Sequence, residues 1–271
     1  MNLQDKFKEF RQQKKALLAT NFYNFETLKG IMLAAQSKQS PIILQLTQSS
    51  IDYMGLRNAY NMGKTALKYY GVEGWIHLDH GGSIELVKLC LETGFDSVMF
   101  DGSELPFEQN IELSKQAVKL AKHYGANVEA ELGYVAKLGQ STEKTGFTEP
   151  NDAKVFVEQT GVDALAVAIG TAHGFYKEEP NLDFERLIAI KEITNAALVL
   201  HGGSGVPHEQ IKKAVSLGIN KVNIATEIKN TFMETLKLLM AKNDEIDLRK
   251  VFPPATDAVE TLIKQKLEIV S

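Results

Sequence analysis

From Leu17 onward, short apolar runs rich in branched residues alternate with longer segments whose apolar residues recur every three or four positions. The runs ALLATNF (16–22), PIILQLT (41–47), WIHLDH (75–80), SVMFDGS (97–103), NVEAELG (127–133), ALAVAIG (164–170), ALVLHGG (197–203) and KVNIAT (221–226) read as strands. Segments such as ETLKGIMLAAQSKQ, LRNAYNMGKTALKYYG and PFEQNIELSKQAVKLAKHYG separate them, each long enough for a crossover helix. Eight strand–helix units predict an α/β fold of the (β/α)₈ barrel type, with strands apolar on both faces as in a parallel sheet covered by helices. A doubly wound open sheet is the alternative. It is disfavoured because no glycine fingerprint of the G-x-G-x-x-G kind follows the first strand. No linker divides the chain, so residues 1–271 are expected to form one domain, with a leading helix under the barrel and further helix beyond about residue 245.

Composition narrows the class without choosing a function. The chain is 44% hydrophobic and 24% charged, which suits a core that needs no disulfide or metal staple. Cys90, the single cysteine, lies in the helical pattern LVKLCLETG and reads as a buried structural thiol. A net charge of −4 with interspersed signs gives no basic field for nucleic acid or an anionic membrane. The charged start MNLQDKFKEFRQQKK has no apolar signal core, and no run reaches the length of a membrane span, so a cytoplasmic protein is expected.

The polar residues within the apolar runs carry the chemistry. Asp79 and His80 end the third predicted strand, Asp101 and Ser103 the fourth, Glu129 and Glu131 lie late in the fifth, His173 follows the sixth, His201 ends the seventh, and Asn223 lies in the eighth. In a barrel these ends converge on one rim, where active sites are built. One strand-end histidine alone could simply bond a backbone carbonyl. Three together, His80, His173 and His201, suggest a metal site with an open position, as in catalytic zinc centres. His77 shares the facing of Asp79 one step deeper and reads as packed or supporting, whereas His123 and His208 fall on helices facing solvent. The turns GTAHGFYK (170–177) and HGGSGVP (201–207) could cradle a phosphate with backbone amides, helped by Lys177 and Ser204, although glycines also serve merely to turn a chain. A metal beside such a cradle, with Asp79 as acid/base, suits carbonyl polarisation coupled to proton transfer and hence aldol cleavage or isomerisation.

The motifs LDHGG, DGS-LPFEQNI, VEAELG, AVAIGTAHGFYK, LVLHGGSGVP and KVNIATE, in this order, resemble those of the class II, zinc-dependent ketose-bisphosphate aldolases, and the resemblance runs from about Leu17 to the tail. It implies Zn²⁺ held by His80, His173 and His201, with Glu131 and Asp101 as acidic positions near the metal, Glu131 able to hold the ion in an alternative site. It makes Asp79 the group exchanging the C4 hydroxyl proton and Asn223 the amide that steadies an enediolate. Gly174, Lys177, Gly202 and Ser204 correspond to the pocket for the phosphate nearest the dihydroxyacetone end, where a monovalent cation, Na⁺ or K⁺, often binds. Asn21 and Thr47 face the far end of the substrate, with Thr226 and Lys229 also in the substrate pocket. Arg249 resembles an arginine lent by a neighbouring subunit to the distal phosphate, which implies a homodimer or homotetramer.

Three departures bear on the substrate. Ala225 stands where fructose-bisphosphate members carry aspartate in Asn-x-Asp-Thr, as it does in tagatose-bisphosphate members, and Lys229 stands where the fructose type often has arginine. The loop after the fifth strand lacks the Gly-Gly-x-Glu-Asp pattern that supplies a mobile glutamate, with Leu138 near that place and Glu143 at a shifted position. The expectation is therefore cleavage of tagatose 1,6-bisphosphate to dihydroxyacetone phosphate and glyceraldehyde 3-phosphate. Fructose 1,6-bisphosphate or another phosphorylated ketose is the alternative substrate; a non-catalytic barrel subunit and a zinc hydrolase on the same fold are the alternatives of other classes.

Overall fold

A computed structural model of the protein describes residues 1–133, 146–174, 176 and 178–271, together with the backbone of 136–137. Eight parallel strands close into a barrel: β1 (Leu17–Asn21), β2 (Ile42–Thr47), β3 (Gly74–Gly81), β4 (Ser97–Phe100), β5 (Asn127–Leu132), β6 (Ala164–Val167), β7 (Ala197–Leu200) and β8 (Ile219–Ile224). Each pairs with its sequence neighbours and β8 closes on β1, so the expected (β/α)₈ architecture is present.

Strand pleating divides the side chains into two sets. Leu18, Leu44, Ile76, Val98, Leu165 and Val222 face outward and are sealed under the helical layer. Leu17, Ala19, Ile43, Trp75, Ala166 and Val199 face inward and plug the lower half of the barrel, closed from below by Leu3 and Phe7 of the leading helix Leu3–Gln13. That helix does cap the bottom. Beyond β8, helices Thr226–Met240, Leu248–Val251 and Pro253–Val270 complete the chain, and the last lies so close to helix Phe25–Lys38 that a Cβ on Gly30 would strike the Thr256 carbonyl.

Two differences from the sequence reading matter for the site. The predicted fourth, sixth and seventh strands each overrun by three residues. After Phe100 the Asp101 carboxylate accepts the Ser103 N–H at 3.1 Å and its hydroxyl at 2.7 Å, a local turn that competes with ladder pairing. A short helix Gln48–Met54, capped by Thr47, follows β2, and Ala172–His173 pairs in parallel with Ala136–Lys137 above the barrel.

Candidate active site

A cleft of about 230 Å³ opens at the C-terminal ends of the strands, lined among others by Asn21, Thr47, Asp79, His80, His173, Gly202 and Asn223. Three imidazoles meet there, with ring centres 4.8 Å apart for His80–His201, 4.9 Å for His80–His173 and 5.8 Å for His173–His201. His80 reaches this position through a φ of 51°, the left-handed region that non-glycine residues seldom enter, where β3 breaks register against β4. Gly81 follows because a Cβ there would meet the Met99 carbonyl.

Carboxylates fix how two of the rings are protonated. His80 Nδ1 lies 2.7 Å from Asp101 Oδ2 and His201 Nε2 lies 2.8 Å from Glu129 Oε1, so both of those nitrogens donate. The opposite nitrogens, His80 Nε2 and His201 Nδ1, then face each other 3.1 Å apart. Two ring nitrogens at that distance are held together either by a proton on one of them, which the raised pKa of His80 supplies, or by a cation bound to both. Burial opposes charging His80, but the carboxylates of Asp79, Asp101 and Glu131 outweigh it and hold the ring up to about 9. Burial, then the neighbouring His80 and His201, press His173 down to about 3, leaving its ring neutral. Histidines that orient their free nitrogens inward while carboxylates hold the outer ones are what a divalent metal requires. Ligand atoms of His80, His173 and His201 lie within 4.8 Å of one another, as do those of His80, Asp101 and Glu131.

Asp79, 5% exposed, sits beside this cluster, with Oδ1 3.9 Å from His80 Nε2. Asn21 Nδ2 donates to its Oδ2 at 2.9 Å, and Gln45 Nε2 and Asn223 Nδ2 reach Oδ1 at 3.2 and 3.5 Å. Burial would raise its pKa; His80, His201, Lys221 and the Asn21 hydrogen bond more than reverse that and keep it ionised. The oxygens of the same amides, Asn21 Oδ1 and Asn223 Oδ1, are buried and accept no hydrogen bond among the described residues.

Above β6–β8 the turns are tied together. Tyr176 Oη accepts the Ala172 N–H at 2.7 Å and donates to the Gly202 carbonyl at 2.8 Å. Gly202, at φ 66°, packs so tightly on the Ala172 backbone that no Cβ would fit. Ser204 Oγ receives the N–H groups of Ala225 and Glu227, each at 3.3 Å.

The family model for class II fructose-bisphosphate aldolases matches residues 1–271. The chain belongs to that family. A fructose-bisphosphate aldolase of Geobacillus stearothermophilus is 38% identical over 98% of this chain and 95% of its own length. The crystal structure of the YdjI aldolase from Escherichia coli K12 superposes with a TM-score of 0.90 at 32% identity, covering 100% of this chain and 97% of that one. A fructose-bisphosphate aldolase from Campylobacter jejuni, at 22% identity and a TM-score of 0.82 over 99% of this chain and 93% of its own, shares the fold.

For this class II aldolase, a lyase acting on sugar phosphates, the structure gathers most of the residues expected from sequence in one place. Asn21, Thr47, Asp79, His80, His173, Gly174, Gly202, Ser204, Asn223, Thr226 and Lys229 line the cleft. Asp101 and Glu131 stand just behind it, beside His80 and His201. Arg249 does not join them: its side chain is 90% exposed, pairs with Asp247 at 2.9 Å, and borders a separate groove with Phe25 and Phe252. Lys177, Leu138 and Glu143 lie outside the described residues. His123 and His208 are exposed, and Cys90 is buried.

Lys221, Gln45 and Tyr23 did not stand out in the sequence. Lys221, 1% exposed, bonds Glu129 Oε2 at 2.7 Å and His77 Nε2 at 3.3 Å, while His77 Nδ1 meets Ser97 Oγ at 2.8 Å. This buried chain ends on His201. A lysine opening the run KVNIAT reads as a strand flank, and only the inward parity it shares with Asn223 could have marked it.

Proposed function

We propose that this aldolase is zinc-dependent and reversibly cleaves tagatose 1,6-bisphosphate to dihydroxyacetone phosphate and glyceraldehyde 3-phosphate. The observation that carries the reading is the convergence of His80, His173 and His201, whose ligand atoms lie within 4.8 Å of one another, beside an amide-caged, ionised Asp79. His80, His173 and His201 would hold the metal, with Glu131 as an alternative ligand. Bound there, a divalent cation supplies a Lewis acid that polarises the substrate carbonyl.

The chain's own groups account for the proton. Asp79 accepts the C4 hydroxyl proton, the C3–C4 bond breaks with its electron pair remaining on C3, and C4 leaves as the aldehyde carbonyl. Asn223, 3.2 Å from His201 and at the cleft wall, steadies the resulting enediolate. In the reverse direction Asp79 returns the proton. The amide oxygens of Asn21 and Asn223 suit a substrate rich in hydroxyl donors. The turns at Gly174, Gly202 and Ser204 receive the phosphate nearest the dihydroxyacetone end, with Na⁺ or K⁺ as a neutralising partner. Arg249, turned away from its own cleft, suits donation to a second subunit of a homodimer or homotetramer.

Ala225 at the cleft wall favours tagatose, because it offers no carboxylate to bond substrate hydroxyls, a difference of about 1–3 kcal/mol in discrimination at C4. Fructose 1,6-bisphosphate is the second reading, favoured by the name of the 38%-identical relative. Measuring kcat/KM of the zinc-loaded protein for the two sugars side by side, as dihydroxyacetone phosphate release, decides between them. A tagatose preference is expected; a fructose preference would reverse the assignment, and release from neither would reject the reaction on both.

A further inference from the structure

We infer that Lys266, on the last helix, is a positioning residue for the phosphate turn: acting through Glu227, it holds residues 203–205 in place and cancels a carboxylate charge that would otherwise repel the phosphate. The inference rests on the phosphate pocket proposed above at Gly174, Gly202 and Ser204.

A lysine is out of place where Lys266 lies. On helix Pro253–Val270, Val259, Ile263, Leu267 and Val270 recur at three- and four-residue spacing and are buried. Lys266 falls within that stripe, three residues after Ile263, and is 4% exposed. A buried ammonium needs a counter-charge. Among the described residues Lys266 has one, Glu227 Oε2 at 2.7 Å. The contact is ionic rather than an aligned hydrogen bond, and the oxygen has no other partner among the described residues.

What Glu227 touches gives the pair its role. Glu227 stands in the first turn of helix Thr226–Met240, where the positive helix end favours a carboxylate, yet it does not cap that helix. Its Oε1 instead accepts the Gly205 N–H at 2.6 Å. In return the N–H groups of Glu227 and Ala225 donate to Ser204 Oγ, and the Gly203 N–H donates to the Asn223 carbonyl at 3.1 Å. Residues 203–205 are thereby tied to the end of β8 and the start of the helix. Ser204 Oγ, accepting two N–H groups, keeps its own hydrogen free to donate into the cleft that Ser204 lines. The Glu227 carboxylate is thus fixed one residue from a donor aimed at the phosphate. Left unpaired and half-buried, it would repel a phosphate dianion with little screening by salt. Lys266 removes that repulsion and restrains the carboxylate that anchors the turn. It does not line the cleft itself, so it acts only through Glu227.

Calorimetric titration of the zinc-loaded proteins with dihydroxyacetone phosphate, beside cleavage kinetics on a ketose 1,6-bisphosphate, tests this. In Lys266→Met, Kd and KM are expected to rise about tenfold with kcat within about twofold. Lys266→Met/Glu227→Gln has no charge to balance and keeps an acceptor for the Gly205 N–H, so both constants should return to within about threefold of wild type. Lys266→Met/Glu227→Ala, equally neutral but without the acceptor, should remain about tenfold weaker. Zinc affinity, read by chelator competition, should be the same in every variant. Where Lys266→Met does not fold, the two double variants decide. Unchanged affinity for dihydroxyacetone phosphate in folded Lys266→Met, or double variants that bind it alike, would overturn the inference while leaving the aldolase reading intact. Wild type that neither binds dihydroxyacetone phosphate nor releases it from a bisphosphate would reject that reading, and the inference with it.

Discussion

The lower and upper halves of the barrel interior are built on the same strands and the same inward parity, yet their chemistry is opposite. Trp75 and, two residues on, His77 and then Asp79 point inward from β3; Ala19 gives way to Asn21 on β1, Ile43 to Gln45 on β2, Val199 to His201 past the end of β7. Below, apolar side chains close on the leading helix and exclude water. Above, Asp79, Glu129, His201 and Lys221 are equally buried, but each is held by hydrogen bonds or ion pairs. A charge in such a place is tolerable only when paired, since desolvation outweighs an unpaired ion's remaining interactions. The dry lower half lets the upper half keep its ions in a low dielectric, where their directions are fixed and their fields strong. Stability and reactivity are thus separated along a single strand by about two residues.

Substitutions should respect this division. The largest effect is expected from Asp79→Asn: turnover falls by about three to four orders of magnitude, the upper range for loss of an acid/base, while one metal per chain is retained. Metal content by mass spectrometry beside product release checks both halves of the statement. Lys221→Met should come next, destabilising the folded protein by about 3–5 kcal/mol because Glu129 is left unpaired, with Lys221→Met/Glu129→Gln recovering much of the loss. Denaturant unfolding of the metal-free proteins measures this, and an undamaged single variant would show that the ion pair is not the organiser of the upper half. Ile43→Ala, in the lower half, should cost about 2–4 kcal/mol through a cavity yet leave kcat of the folded enzyme unchanged. A kcat that falls with it would break the separation drawn here. Smallest is Asp101→Asn, which weakens the hold on His80 and should lower metal affinity about tenfold to a hundredfold, read by chelator competition.

How much of this could be read beforehand follows from the same contrast. The strands were legible because apolar runs of branched residues are sealed on both faces, and the histidines and Asp79 were legible because ions interrupt those runs at one end. Strand ends were less so: Asp101 and Ser103 look continuous with SVMF until the carboxylate is seen to fold the backbone onto itself. The helix Gln48–Met54 escaped notice because it is seven residues long and buries only Ser50 and Ile51, too little for an apolar period to form. Lys221 escaped because its partner Glu129 lies 92 residues earlier in the chain and meets it only across the closed barrel. Tyr23 escaped because an aromatic residue after a strand is ordinarily packing, and its cleft-facing position depends on the loop between β1 and the helix Phe25–Lys38.

The central claim is that the upper half of the barrel holds one divalent metal beside an ionised Asp79 and that both are needed to cleave a ketose bisphosphate. The most direct test strips the wild-type protein and Asp79→Asn of metal, reloads each with zinc, and follows dihydroxyacetone phosphate release. The account predicts no release from stripped wild type, release on reloading with one zinc per chain, and none from Asp79→Asn although it binds the same zinc. Undiminished release from the stripped protein, or from reloaded Asp79→Asn, would contradict it.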